Sequence, residues 1–398
     1  MHSRPAILLL FLLLAGPASL AQSRFVRGQG AQLIDPAGKP LLLRGINLGN
    51  WLVPEGYMLQ LEGGPQSARE IDALFRELAG PAFVDRFWTE WRKRYITEAD
   101  IARISSLGFN SIRLPLHHSR LGPGGEDWSH IDNTVAWARK HRLWVILDLH
   151  AAPGGQTGTN IDDSWGYPWL FDDEPSQTAT IDLWKRIAAR YKSEPTILGY
   201  DLLNEPIPHF HGLPRLNPLL EPLYRRIAAA IRQVDPNHIL IFEGAQWASR
   251  FDMFGPPIDP NAMYSFHKYW TAPTRDVIKD YLAYQAMHHV PLYMGESGEN
   301  SDDWISRFIA VLEQEKVNWC LWPYKKMTAT SAPISFEKPV HWDLIAAYAK
   351  LPGGVGATEK KAATRPSPQQ AQAALLDLLD KVALDRCRPN PGFPRPAG

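Results

Sequence analysis

The sequence predicts a single α/β domain, a (β/α)8 TIM barrel with an N-terminal hairpin and long loops after its first and third strands. Apolar, β-rich runs alternate with amphipathic runs through most of the 398 residues, the signature of βα units around a parallel sheet. Roughly 330 residues remain once the two ends are set aside, which suits one large barrel. Polar and aromatic side chains close the apolar runs, and such a barrel keeps its functional groups at its strand ends.

The chain begins Met1-His2-Ser3-Arg4, continues as an apolar run from Ala6 to Leu14, and reaches small residues at Ser19-Leu20-Ala21. That is the layout of a cleavable secretory leader over residues 1–21, so a secreted or periplasmic protein is expected. The run falls far short of the ~20 residues that span a bilayer, and no membrane partner is expected after leader removal. Phe25–Ile34 and Leu41 flank the turn Asp35-Pro36-Ala37-Gly38, a hairpin placed to plug the barrel bottom.

Eight strands follow: LLLRGIN ending at Asn47, SIRLPL at Leu116, WVILDLH at His150, ILGYDLLNE at Glu205, ILIFEG at Gly244, AMYSFHKY at Tyr269, PLYMGE at Glu296 and NWCLWP at Pro323. Helical patterns lie between them, over 98–107, 131–141, 178–192, 219–234, 275–288, 302–316 and 342–350, with capping signals at Thr97/Asp100 and Ser301. The connection after Gly244 lacks a clear helix. Residues 52–91 and 151–174 are insertions rich in Trp, Tyr, Gly and Asp. Beyond Leu351 the Gly, Lys, Ala and Pro content reads as a linker, then a short helix over 371–384 and a Pro-rich end. The expected division is therefore leader 1–21, catalytic barrel 22–351, and linker with tail 352–398.

Lys plus Arg equals Asp plus Glu at 42 each, so there is no electrostatic footprint for nucleic acid. A neutral partner fits that balance, and the chain is expected to act as a monomer. Cys320 and Cys387 are the only cysteines, which excludes a cysteine-based zinc site. Cys320 shares a strand face with Trp322, so it should point into the barrel rather than bridge to Cys387.

The predicted strand ends present Arg113, His150, Asn204, Glu205, His267, Tyr269, Glu296 and Trp322. Glu205 and Glu296 each close a run that otherwise predicts full burial, and a buried carboxylate is either paired or at work. Two of them on separate strands, among Asn, His, Tyr and Trp, favour work. Retaining glycoside cleavage wants such a pair about 5 Å apart, one to attack the anomeric carbon and one to protonate the leaving oxygen. On this reading Glu296 is the nucleophile, supported by Arg113 and Tyr269. Glu205 is the acid/base, Asn204 grips the 2-hydroxyl, and His150 and His267 orient the carboxyls.

The same residues resemble glycoside hydrolase family 5, the cellulase-like barrels. The resemblance rests on Asn204-Glu205-Pro206, Glu296 in GES, Arg113 in IRLP, His150 in LDLH, His267 and Tyr269 in FHKY, and Trp322 in CLWP, in order over residues 40–325. It implies a retaining β-glycosidase without metal or cofactor, with Trp322 stacking on the sugar. RGINLGNWLVPEGYM and HAAPGGQTG are similar to exo-β-1,3-glucanase-type members, which implies a β-glucan or another neutral β-linked saccharide as substrate. In those loops Asn47, Glu55, His118, Asn160 and Asp162 hold places expected for hydroxyl-binding groups. An endo-β-1,4-glucanase, a transglycosylase and a non-catalytic carbohydrate-binding protein are the alternatives.

Trp51, Trp165, Trp169 and Trp270 fall in or beside the catalytic-face loops, whereas Trp137, Trp184, Trp304 and Trp342 fall on helices as packing. His117-His118 is set aside as a metal site because adjacent strand residues point to opposite faces. His288-His289 reads as a helix end, where cationic charge is favoured, and Gly122–Gly125 as a turn.

Overall fold

The computed structural model describes residues 24–396 apart from 123, 124, 126, 211 and 352–358, and the side chains of 160 and 360 are likewise outside the described residues. The leader expected over 1–21, most of the linker and the middle of the Gly122–Gly125 turn thus lie outside them.

Eight parallel strands close into a barrel: β1 (Arg44–Asn47), β2 (Ser111–His117), β3 (Trp144–Ala151), β4 (Ile197–Asp201), β5 (Ile239–Glu243), β6 (Ala262–Lys268), β7 (Leu292–Ser297) and β8 (Asn318–Leu321). Strand β8 returns to β1, pairing Cys320 with Gly45. All eight predicted strands are present. Four stop short of their expected ends, β5 by the single residue Gly244. After Asp201 the chain leaves the ladder, and Glu205 adopts a left-handed φ of 46° while its N–H donates to the Glu243 carboxylate. Tyr269 follows the last residue of β6, and Pro323, which has no N–H to donate, lies beyond β8.

Strand alternation sorts the barrel interior by depth. Along β3, Ile146, Asp148 and His150 share one face. Ile146 joins Leu198, Ile239, Ile241, Met263, Tyr293 and Cys320 in an apolar layer that packs on Val26, Leu33 and Leu43. Those last residues belong to or flank a small antiparallel sheet of Arg27–Gln29, Gln32–Ile34 and Pro40–Leu41, the plug expected at the barrel bottom. Each such fully buried aliphatic side chain contributes about 1.5–3 kcal/mol. Cys320 is buried in this layer, and it and Cys387 are both free thiols.

Helices surround the barrel close to their predicted places, including Glu98–Ser106 behind a Thr97/Asp100 capping box and Asp302–Gln314 capped by Ser301. The β5–β6 connection has only the turn Ala245–Ala248, in which Gln246, Trp247 and Ala248 all have positive φ. The segment 52–91, expected as an irregular insertion, instead forms the helices Ala68–Ala79 and Pro81–Arg94. A capping box at Ser67/Glu70, the spacing of Ile71, Leu74, Phe75 and Leu78, and Pro81 at the first turn encode them. Their many aromatic residues are packing: Phe75 stacks on Trp88, and Trp91 on Tyr95.

The C-terminal helix runs Pro368–Lys381 and buries Ala371, Ala374, Leu375 and Leu378 against the outer helices. Arg388–Pro389 adds a strand to Ile334–Phe336. Between them the fully buried Lys325 ammonium reaches Asp100 at 2.9 Å and donates to the carbonyls of Tyr95 at 2.7 Å and Val382 at 2.9 Å. No helix among the described residues is long and apolar enough to cross a membrane.

Candidate active site

The site is built on Arg113, which β2 directs into the barrel with no exposure. Four carboxylates from four other strands or strand ends converge on its guanidinium: Glu296 at 2.6 Å, Asp201 at 2.8 Å, Glu243 at 2.9 Å and Asp148 at 3.1 Å. It also donates to the side-chain oxygens of Asn204 at 2.9 Å and Asn47 at 3.1 Å. One cation cannot balance four buried anions, so their affinities for protons diverge. Burial, reinforced by the charge of Glu243, lifts the Asp201 carboxyl well above its usual range. Burial opposes ionisation of Glu243 too, but His267 and Arg113 outweigh it and hold that carboxyl down to about 2.

His267 is the hinge between this floor and the carboxyls of Glu205 and Glu296. Its Nε2 lies 3.1 Å from Glu243, and its Nδ1 lies 2.7 Å from Glu205 and 3.7 Å from Glu296. Burial disfavours its charge, yet Glu243 and Glu296 raise its affinity for the proton well above the ordinary imidazole range. Gly295 makes room for the ring, since a Cβ there would stand 2.9 Å from His267 Nε2. The β6–β7 register shifts at the same point, so that Glu296 sits beside His267. One carboxylate oxygen each of Glu205 and Glu296 and one His267 nitrogen all lie within 4.8 Å of one another.

Glu296 is almost fully buried and takes a second donor, the Tyr269 hydroxyl at 3.0 Å. Burial pushes its carboxyl up, while His267 and Arg113 pull it back. His150 is fixed by Asp148 at 2.7 Å, and its Nε2 lies 3.5 Å from Asn204 Nδ2. The floor therefore holds the Glu296 carboxyl directly through Arg113 and the Glu205 carboxyl through His267. Above it opens a cavity of about 530 Å³ lined by Glu55, Tyr57, His150, Asn204, Glu205, Trp247, His267, Tyr269, Glu296 and Trp322, among others.

One wall of that cavity is held as firmly as the floor. The Trp322 ring lies parallel to His150 with centroids 5.4 Å apart, and its Nε1 donates to the Tyr57 hydroxyl at 2.7 Å. Gly49 backs the ring, because a Cβ there would come within 2.6 Å of it. Burial, with the charges of Glu296, Glu299 and Glu205, pushes the nearby Glu55 carboxyl up to about 8 against the opposing pull of His150. At neutral pH Glu55 is an uncharged carboxyl facing the cavity, and its Oε1 has no hydrogen-bond partner within the protein.

The loop residues expected beside Glu55 go elsewhere. Asn47 is buried beneath the cavity and spends its amide on the carbonyls of Gly295 and Leu321 at 3.1 Å each, so it positions Arg113 rather than facing a ligand. Asp162 turns to its own loop, accepting from the N–H groups of Thr157, Gly158 and Ser164. Asn160 opens the turn Asn160–Asp162, and its side chain lies outside the described residues. His118 lies outside this cavity: His117 ends β2, His118 starts a separate turn, and their rings stack at 5.0 Å instead of pointing to opposite faces. Trp51, expected among the loop aromatics, is buried packing, whereas Trp270 stands at the cavity mouth, 74% exposed.

Sequence reasoning passed over Asp148, Asp201, Glu243 and Tyr57. The first three had a signal, because each interrupts or ends an apolar strand that must otherwise be buried, and Asp148 lies two residues before His150 on the same face. Tyr57 lies in a loop without periodicity and had none.

Comparison with known proteins agrees with this geometry. The family model described as Cellulase (glycosyl hydrolase family 5) matches residues 77–328. A protein named beta-xylosidase from Phanerodontia chrysosporium is 31% identical over 263 residues, covering 62% of this chain and 52% of that protein. A probable glucan 1,3-beta-glucosidase A from Emericella nidulans is 34% identical over 210 residues, covering 50% of each. The chain thus spans about half the length of the curated relatives it matches. Among solved structures, an endogalactoceramidase superposes with a TM-score of 0.57 at 23% identity, covering 78% of this chain and 76% of that one. The catalytic domain of a Thermobifida fusca endoglucanase gives 0.51 at 18%, covering 88% and 97%. These two likenesses speak for the barrel. With the family model covering more than half of the sequence, and its strand-end residues gathered around one cavity, the chain belongs to glycosyl hydrolase family 5.

Proposed function

We propose that the protein is a retaining β-glycosidase acting on β-glucans or related neutral β-glycosides, with Glu296 as nucleophile and Glu205 as acid/base. The observation that carries this is the close approach of the two carboxyls, with oxygens within 4.8 Å, because that spacing suits direct attack and leaves no room for an intervening water. A Glu296 oxygen attacks the anomeric carbon while the bond to the leaving oxygen breaks and Glu205 delivers its proton there. Glu205 then takes a proton from water, which attacks the same carbon and frees Glu296. Arg113 and Tyr269 hold the attacking carboxylate, and each donates a hydrogen bond to it. Trp322 offers its face to the sugar. Glu55 offers a neutral carboxyl, both donor and acceptor, to a hydroxyl.

Release from the chain end, as in exo-β-1,3-glucanases, is the substrate mode we favour. Two loops support it, because Glu55 and Tyr57 from one and Thr159 and Ile161 from the other wall the same cavity. Named relatives that are glucan 1,3-beta-glucosidases support the linkage. The leader, export, action as a monomer and the 22–351 extent of the catalytic unit belong to the same proposal.

Incubation with laminarin, lichenan, carboxymethylcellulose and aryl β-glucosides, with sizing of the products, tests it. Glucose alone is expected from laminarin, and a ladder of oligomers would replace exo by endo action. A 2-deoxy-2-fluoroglycoside should label Glu296, and labelling of any other residue would overturn the assignment.

A further inference from the structure

Behind the wall of the catalytic cavity lies a second one of about 600 Å³, well inside the range of small-molecule sites. The two cavities share their partitions. In the loop after β1, Glu55 and Tyr57 face the first cavity and Trp51, Leu52 and Pro54 the second; in the loop after β3, Thr159 and Ile161 face the first and Asp163 and Trp165 the second. The helices Ala68–Ala79 and Pro81–Arg94 form the far side.

The charges of this cavity are mutually engaged. Arg76 pairs with Asp72 and Asp85 at 2.7 Å each, Arg120 with Asp127 at 2.9 Å, and Arg69 approaches Asp163 at 3.8 Å. An anionic ligand would have to break these pairs, so a neutral one is favoured. The polar groups nonetheless offer directional hydrogen bonds, which an apolar ligand would waste.

The aromatic groups supply the complement. Trp165 is 79% exposed, and the Arg69 guanidinium lies 3.5 Å from its ring centre, fixing the ring by a cation–π contact. Arg69 is itself tethered to the Ser164 carbonyl. A large indole held in place by its neighbour while most of its surface faces water is poised for a flat ligand. His117 is anchored on Asp163 at 3.2 Å and stacks on His118. Burial and the neighbouring His117 push His118 down to about 4, so it is a neutral donor and acceptor at working pH.

We infer that this cavity is a second, non-catalytic site for a neutral saccharide, with Trp165 as stacking platform and His118 as hydroxyl partner. Polar walls without surplus charge beside a fixed, exposed ring match a molecule whose rim is hydroxyl and whose ring face is apolar. The site holds a glycan chain next to the catalytic cavity and takes no part in bond cleavage. Only the choice of a β-glucan as probe rests on the proposed function.

Native electrophoresis in gels containing laminarin tests the inference, using protein whose catalytic cavity is blocked by a covalent 2-fluoroglucosyl group. The blocked protein should still be retarded. Trp165→Ala, and separately His118→Ala, should weaken the retention constant about tenfold. Hydrolysis of an aryl β-glucoside by the unblocked Trp165→Ala should stay within about twofold of wild type, which also shows that the variant folds. Unchanged mobility of the blocked protein, or full retention by both variants, would overturn the second site. If the fluorosugar labels nothing, the glycosidase reading fails, while retention of unlabelled protein that Trp165→Ala abolishes still supports the site.

Discussion

The floor of the catalytic cavity and the loop wall above it contain the same residue types under opposite constraints. In the floor, Arg113, Asp148, Asp201, Glu243 and Glu296 come from five strands and face one another because strand alternation leaves them no other direction. In the wall, Glu55 faces the cavity while Asp162, a carboxylate of similar reach, curls back onto its own backbone. A strand position dictates what a side chain meets, and a loop position does not.

Replacing Glu205 by Ala gives the largest effect expected. Cleavage of a natural glycoside should fall by about 10²–10⁴, the usual worth of general acid catalysis, whereas an aryl glycoside with a good leaving group loses far less in its first step. Azide should restore turnover and yield a β-glycosyl azide. Equal loss on both substrates without azide rescue would make Glu205 a binding residue only.

Next in size is Arg113→Met. It strands four carboxylates, and removing one partner of a buried pair costs about 3–5 kcal/mol, so denaturant unfolding should show at least that loss or no soluble protein. Unfolding at wild-type denaturant would show that the floor's charges are not what fixes it.

Glu55→Gln should act through pH. In wild type the folded state keeps the Glu55 proton up to about 8, whereas the unfolded chain releases it near 4.5. Between those values the folded state binds more protons, so stability falls as pH rises. Glutamine removes that term, and the gain in Tm over wild type should grow from pH 5 to pH 8 by on the order of 5 °C. A gain independent of pH would place Glu55 in water rather than in a dry wall. The opposite sign holds in the floor, where Glu243, held at about 2, supplies stability above pH 4.5 that disappears as pH falls toward 2.

The smallest change is Asp162→Ala. It removes the carboxylate that accepts from three backbone N–H groups, worth about 1–3 kcal/mol together, so KM should rise as the loop loosens while kcat on an aryl glycoside holds. A fall in kcat with unchanged KM would instead tie Asp162 to the chemistry.

This contrast also explains how far the sequence could be read. All eight strands and the Glu205/Glu296 pair were legible, since each rests on a period of two and on the cost of burying a carboxylate. Asn47 and Asp162 were misread because a polar residue near a site can serve backbone as readily as ligand, and nothing in its neighbours' pattern separates the two. The helices over 68–94 were hidden by their tryptophans. Aromatic content drew attention to the catalytic face, although Phe75, Trp88 and Trp91 pack on one another and on the shell, away from the cavity that Glu205 and Glu296 line.

Lys325 has a practical consequence for anyone cutting the chain. Composition places a seam at Leu351, and a shortened protein ending there would look economical. It would also deprive the fully buried Lys325 ammonium, three residues beyond Trp322 in the chain, of the Val382 carbonyl, and leave the outer helices facing water where Leu375 and Leu378 now rest. The C-terminal segment is in mechanical terms a clasp on the helices Ala68–Ala79 and Pro81–Arg94, and a protease or a cloning primer that opens it loosens the segment that carries both Lys325 and Trp322.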